Sequence, residues 1–219
     1  MTTLLRALTV LLLAGSVACA TTKAPVEATS TIEVIEEGNG GEAPSTLVEY
    51  EAPEGFKVKL PPSDQEPKRE TVPLPQGGEA KVAAWAVRDP SGVLYSIWLA
   101  DYPTELVSKT SPENFLNEGR DGVLQQLQNA QIVSENPITL QGFPGREYTL
   151  TSDNGDVKGR NFLVGNRLYT QIYIYNSAVG APEGDAFLNS LELVNPPAPT
   201  PAPESAPAAE PMDGATPAK

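Results

Sequence analysis

Residues Phe143–Asn176, FPGREYTLTSDNGDVKGRNFLVGNRLYTQIYIYN, decide how this chain folds. Their β-branched and aromatic residues form runs separated by two turn signals, so the stretch reads as three consecutive antiparallel strands. Asn154-Gly155 tolerates the positive φ that a hairpin turn requires. A type I turn at Asp153-Asn154, with Gly155 in the left-handed position, places Tyr148 and Leu150 on the same face as Phe162 and Val164. A two-residue loop there would scatter these large side chains, so the first register is expected. Gly165-Asn166 reads as a two-residue connection that sets Phe162 opposite Tyr169 and Leu163 opposite Leu168. The last strand then carries Tyr169, Tyr173 and Tyr175 on one side and Leu168, Ile172 and Ile174 on the other. A half-solvated strand alternates apolar with polar residues, and this one does not. It is expected at the centre of a sheet with a packing layer on each face.

Working outward, Asp89-Pro90-Ser91-Gly92 has the preferences of a type I turn followed by a bulge. That register puts Ala83, Trp85 and Val87 on the core face with Tyr95, Ile97 and Leu99, and leaves Val82, Ala84, Ala86 and Trp98 on the other. Phe56, Val58 and Leu60 alternate with lysines in a short strand that stops at Pro61-Pro62, and Ser63 to Gly78 reads as a polar surface loop. Ser111-Pro112-Glu113 opens a helix, with Ser111 as N-cap and Pro112 in the first turn. From Phe115 to Ala130 the residues Phe115, Leu116, Gly119, Val123 and Leu127 share one helical arc and face the sheet. A shorter helix is expected from Pro182 to about Leu191, burying Phe187, Leu188 and Leu191 over the opposite sheet face. The fold class is therefore α+β: a central antiparallel sheet with helices on both faces.

Both ends of the chain differ from this domain, which spans residues 47–194. Residues 1–18 have a short start with Arg6, an apolar run around Leu8 to Ala14 and small residues before Cys19, the pattern of a secretory signal. Two readings follow: lipidation of Cys19, which would anchor the exported chain to a membrane, or cleavage after Ala20, which would leave it soluble outside the cytoplasm or secreted. Residues 19–46 are rich in Thr, Glu, Ala, Gly and Pro and form a flexible tether, and residues 195–219 are a disordered Pro/Ala-rich tail. A single cysteine excludes an internal disulfide. The formal charge is −13, and removing residues 1–18 takes away Arg6 and no acid. So acidic a chain repels phosphate backbones and anionic head groups; nucleic acid is not an expected partner, and membrane attachment is expected through the lipid.

The chemistry available is narrow. With no histidine anywhere, the commonest general base and metal ligand is missing, and so are the usual catalytic triads. Asp153-Asn154-Gly155-Asp156 lacks the ligand spacing and closing glutamate of an EF-hand and is taken as a turn. Neither a metal nor a cofactor is expected. The candidates for a binding face are the row Tyr169, Tyr173 and Tyr175 together with Arg146 and Arg160. The ordinary role of such a row is a covered layer; left uncovered, it becomes the first choice of recognition surface.

The segments GFKVKLP (55–61), LYSIWLADYP (94–103), SPENFLNEGRDGVLQQL (111–127), GREYTL (145–150), LVGNRLYTQIYIYN (163–176) and FLNSLEL (187–193) together resemble the PsbP/Mog1-like superfamily, in particular its bacterial envelope members. The resemblance covers roughly residues 47–194 and implies an α/β/α layered domain. It also implies a partner-binding or assembly role rather than catalysis. The photosynthetic members influence a manganese–calcium cluster, but the histidines tied to metal binding there have no counterpart here, so no functional residue is carried over. The expected function is a non-catalytic envelope lipoprotein that binds or assembles with an envelope protein. The alternative is a small-ligand-binding or carboxylate-based hydrolytic enzyme of the envelope. Mass spectrometry of the mature N-terminus should find a diacylglyceryl group on Cys19, and Cys19→Ala should move the protein from the membrane to the soluble fraction. An unmodified N-terminus beginning after Ala20 would select soluble export.

Overall fold

The computed structural model describes residues 45–199 apart from Gln76. The expected signal segment, Cys19, nearly all of the tether and the tail beyond 199 lie outside these residues. In chain order the elements are β1 (Val48–Ala52), β2 (Phe56–Leu60), β3 (Lys68–Pro73), β4 (Glu79–Arg88), β5 (Leu94–Asp101), α1 (Thr104–Lys109), α2 (Pro112–Gln126), β6 (Gln131–Leu140), β7 (Phe143–Thr151), β8 (Asp156–Val164), β9 (Arg167–Tyr175), α3 (Gly184–Leu188) and β10 (Glu192–Leu193). Strands β3-β4-β5-β9-β8-β7-β6 form a seven-stranded sheet and β1-β2-β10 a three-stranded one. All pairings are antiparallel. After β5 the chain crosses through α1 and α2 to the far edge at β6, then meanders back until β9 closes against β5.

Strand β9 is the middle one of seven, and both of its faces are covered. Ile172 packs with Tyr148, Leu150, Val157 and Val123 of α2. Leu168 packs with Leu163 and with Phe115 and Leu116 of α2. On the opposite face Tyr169 and Tyr173 join Trp85, Tyr95, Ile97, Phe162 and Val164. That layer is closed by Phe56, Val58 and Leu60 of β2 and by Phe187 and Leu188 of α3. Phe56 and Phe187, both 0 % exposed, act as its two plugs. Phe56 meets Trp85 edge-on at 5.1 Å, and Phe187 meets Tyr95 at 5.3 Å. Such contacts add to the roughly 1.5–3 kcal/mol gained by burying each ring.

Local signals placed several elements correctly. Phe162 lies opposite Tyr169 and Leu163 opposite Leu168, across a turn whose Gly165 has φ of 60°. A positive φ at the first turn position alone is the type II′ arrangement. In the other hairpin Ala83 faces Leu99, Trp85 faces Ile97 and Val87 faces Tyr95. Asp89 organises that turn by accepting the backbone N–H of Val93 and the hydroxyl of Ser91 through one carboxylate oxygen. Ser111 caps α2 by accepting from the Asn114 N–H, and the helix buries Phe115, Leu116, Gly119, Gly122 and Val123. It ends at Gln126 rather than Ala130 because the chain turns at Leu127 and reaches a positive φ at Asn129.

The register of β7 and β8 is a correction. Leu150 pairs with Val157 and Tyr148 with Gly159, one residue away from the expected alignment. Tyr148 and Leu150 therefore face α2, while Phe162 and Val164 face the small sheet. The cause is Ser152, which leaves the ladder: its hydroxyl accepts the Asn154 N–H and donates to the Gly155 carbonyl. That lengthens the loop by one residue and flips the pleat. The Asp153 N–H bonds the Gln128 carbonyl and so ties the turn to the end of α2. A second correction concerns the Ser63 to Gly78 loop, which contains the edge strand β3. Strands β1 and β6, both at sheet edges, and helix α1 carried no expectation at all. The cover on the tyrosine face also differs, being the three-stranded sheet together with a five-residue α3.

Gly159 shows how tightly the layer under α2 is packed. A Cβ there would come within 2.7 Å of both the Ile172 methyl and the Tyr148 ring. Gly159→Val is expected to destabilise the fold by about 1–3 kcal/mol through overpacking. A lowered urea midpoint would show this, and an unchanged one would contradict the close approach.

Candidate binding groove

The structure separates the residues that the sequence grouped as one face. Tyr169 and Tyr173 are only 3 % and 5 % exposed. Their hydroxyls meet the Arg167 guanidinium and the Asp185 carboxylate at 3.4 Å. The row is thus an interior layer, and only half-buried Tyr175, at its end, reaches the surface. Arg160 lies on this same side. It donates to Glu147 at 2.8 Å, the Leu188 carbonyl at 3.0 Å and Asn189 at 2.9 Å, fastening the end of α3 to the sheet. Arg146 pairs in register with Asn161, the next residue, and so projects from the opposite face.

There Arg146 takes part in a cluster that locks α2 to the sheet edge. Glu135 of β6 accepts from Arg146 at 2.7 Å and from Arg120 of α2 at 2.5 Å, and Arg120 also holds Asp121 at 2.7 Å. Arg146 further donates to Asn117. Two guanidiniums thus share one carboxylate while the remaining donors of Arg120 go to Asp121, an arrangement that fixes geometry and leaves no charge seeking a ligand. A second cluster joins the layers at the other end of the sheet. Arg167 forks onto Asp101 at 2.5 and 2.8 Å and donates to the Glu54 carbonyl, while the Glu54 carboxylate is held by Arg69 at 2.8 Å. The bond to Asp101 holds Arg167 firmly in its charged form, its pKa raised above the ordinary guanidinium value despite burial. A cavity of about 330 Å³ lies beside these groups, with Glu70 and Lys81 also on its wall.

A larger concavity, about 640 Å³, opens where three connections converge. From α2 and its exit come Gln125, Gln126, Leu127 and Gln128; from the β4–β5 hairpin, Arg88, Gly92 and Leu94. Ile174, Tyr175 and Asn176 end β9, and Asn154 belongs to the β7–β8 turn. Hydrogen bonds and strand pairing shape these loops. Asn154 Oδ1 accepts the Gln128 N–H at 2.9 Å, Arg88 donates to the Gly92 carbonyl at 2.5 Å, and Leu94 pairs with Ile174. Ile174 faces α2, while the Tyr175 ring turns to the other face of β9 beside Tyr173, with centroids 5.4 Å apart. Leu94, Leu127 and Ile174 supply apolar lining, Gln125, Gln126, Gln128, Asn154 and Asn176 supply amides, and Arg88 is the only ionisable side chain on the wall besides the Tyr175 phenol. Its size falls within the usual range for small-ligand sites, roughly 300–1,000 Å³. In the sequence the amides of Gln125 to Gln128 look like the solvated side of a helix, and Ser152 to Gly155 like a plain turn. Only the bond between them reveals a shared wall.

Among the described residues no group of three or more His, Cys, Asp or Glu side chains is placed to hold a metal ion, and no helix is long and apolar enough to cross a membrane. Fold and site together define an antiparallel-sheet domain with an open, amide-rimmed groove at one end. No family model matches the chain, and no curated protein does either. Solved structures that are similar in part include the following two. The solution structure of the cyanobacterial PsbP (CyanoP) from Synechocystis sp. PCC 6803 gives a TM-score of 0.43 at 12 % identity, over 71 % of this chain and 98 % of that one. The crystal structure of the protein of unknown function PA94 from Pseudomonas aeruginosa gives 0.39 at 9 % identity, over 66 % and 93 %.

The Glu135 cluster yields a pH-dependent expectation. Burial alone would push the Glu135 carboxyl up, but the hydrogen bonds and charges of Arg120 and Arg146 outweigh it and hold the group below the ordinary carboxylate value. A carboxyl depressed in the folded state stabilises the fold above its unfolded pKa, and that contribution is lost as pH falls through the folded value. Glu135→Gln should therefore cost about 2 kcal/mol near neutrality, less than a fully buried pair would. Urea titrations across pH should show the difference from wild type shrinking in acid; a gap independent of pH would contradict the assignment.

Proposed function

We propose that this protein is a non-catalytic binding or assembly module of the cell envelope. In this reading residues 1–18 export it, lipid on Cys19 holds it to a membrane, and the domain meets an envelope partner. The family reading belongs here too: a PsbP/Mog1-like domain in which α3 and its flanking residues stand for the second helical layer of an α/β/α arrangement. The observation that supports a binding role is the groove between α2, the β4–β5 turn and the end of β9, a concavity of about 640 Å³ lined by apolar and amide side chains. The clustered carboxylates on each sheet face are, by contrast, taken up in holding elements together.

A carboxylate-based enzyme is favoured by one feature, the smaller cavity on which Glu54, Glu70 and Asp101 converge. It ranks second because Arg69 and Arg167 already engage Glu54 and Asp101. A photo-crosslinking residue at Gln125, in the native envelope, is expected to give a discrete adduct that is absent when the same probe replaces Lys68 on the far edge of the sheet. Equal, diffuse labelling at both positions, together with turnover abolished by Asp101→Asn, would overturn the binding role in favour of the enzyme.

A further inference from the structure

Strand β6 ends the seven-stranded sheet, and among the described residues nothing pairs with its outer side. The opposite edge, β3, is guarded by Lys68, Arg69 and Glu70, whereas the one charge on β6, Glu135, is already taken by Arg120 and Arg146. Pro137 sets the direction of the free groups. Having no N–H, it stands where the backbone faces away from β7, so Glu135 and Thr139 point their N–H groups outward while Asn136 and Ile138 donate inward. On the tyrosine side Ile138 and Leu140 remain half-buried, beside a cavity of about 210 Å³ that reaches Phe162, Leu188 and Leu191.

The chain's own C-terminal segment arrives at this edge. Gln141, in the β6–β7 turn, clasps Leu193 by accepting its N–H at 2.8 Å and donating to its carbonyl at 3.3 Å. Beyond it Pro197 lies by Gly165 and Pro199 by Gly142, so the chain crosses the end of the sheet from the β8–β9 turn to the β6–β7 turn, heading for β6. Turning back along β6 makes it antiparallel. Its sequence suits the outermost place, because from residue 197 onward every proline is odd-numbered, Pro201, Pro203, Pro207 and Pro211 among them. In an extended strand their ring nitrogens share one edge, and the even-numbered residues keep every N–H on the other. Counting from Pro199 beside Gly142 sets Ala202, Glu204 and Ala206 opposite Thr139, Pro137 and Glu135. Pro201 and Pro203 then fall beside Leu140 and Ile138, the half-buried pair. We propose that residues 201–207 add to β6 as an eighth, antiparallel strand, an edge cover that keeps this chain from pairing edge to edge with a second copy. Covalent linkage gives the segment an effective concentration on the order of millimolar, which a second copy of a chain with charge −13 does not match.

Amide hydrogen exchange tests this, read by NMR on the 15N-labelled mature chain and on the same chain ending at Pro199. With the C-terminal segment present, the Glu135 and Thr139 amides should exchange at least about tenfold more slowly than in the shortened chain. Those of Asn136 and Ile138, which donate to β7, should be unchanged. Ala206→Pro puts a ring nitrogen on the inward edge and should remove the protection. Ser205→Pro puts one on the outward edge and should keep it. Equal exchange of Glu135 and Thr139 in the two chains, or the same response to both proline variants, would overturn the proposal. Protection that survives the truncation and grows with protein concentration would also overturn it, assigning the edge to a second copy.

Discussion

Everything in this domain depends on a strand that is apolar on both sides. Strand β9 sends Leu168 and Ile172 to one face and Tyr169 and Tyr173 to the other, and none is more than 5 % exposed. Burying such a strand needs two layers, and the chain supplies one from α2 and the other from β2 with α3. Polar residues on β9 follow the same constraint. Gln171, fully buried, donates to the Phe187 carbonyl at 2.7 Å and so ties α3 to the centre of the sheet. Next to β9, Asn161 donates to the Leu116 carbonyl of α2 at 3.1 Å. Each bond offsets part of the penalty of burying an amide and at the same time fixes where a layer sits.

How much of this was legible depended on whether the signal was local. The two-sided pattern of β9, the Gly165-Asn166 turn, the Asp89 to Gly92 turn and the Ser111 cap are each written in a few adjacent residues, and each appears as read. The edge strands were invisible for the opposite reason. Only Val72 of β3 is buried, and most of β6 is exposed, so neither shows an apolar period. The β7–β8 register depended on Ser152 and on bonds from Asp153 and Asn154 to Gln128, a contact between residues far apart in sequence. The candidate site failed for a related reason. Arg146 and Arg160 look like one basic face, but the register pairs Arg146 with Asn161, which places the two arginines on opposite sides of the sheet.

The same non-local logic distinguishes the two ends of the domain. Thr46 is held by the carboxylate of Glu183, just after β9 has ended, so the chain enters the domain at the end of the sheet where the groove opens. Hydrogen bonds from Ser45 and Thr46 in turn keep the Glu183 carboxyl below its usual range. The chain leaves at the other end, where Pro197 and Pro199 lie against the turns at Gly165 and Gly142. Paired ions hold the layers together at that end, and side-chain amides line the groove at the first. The division follows from where the loops fall: the α2 exit, the β4–β5 turn and the β7–β8 turn all gather at the groove end.

Native-state hydrogen exchange tests the central role of β9 most directly. Amides from Leu168 to Ile174 should be the slowest in the domain, exchanging only through global unfolding, while those of β3 and β6 open earlier. Exchange from β9 as fast as from β6 would contradict a fold organised around a strand buried on both faces.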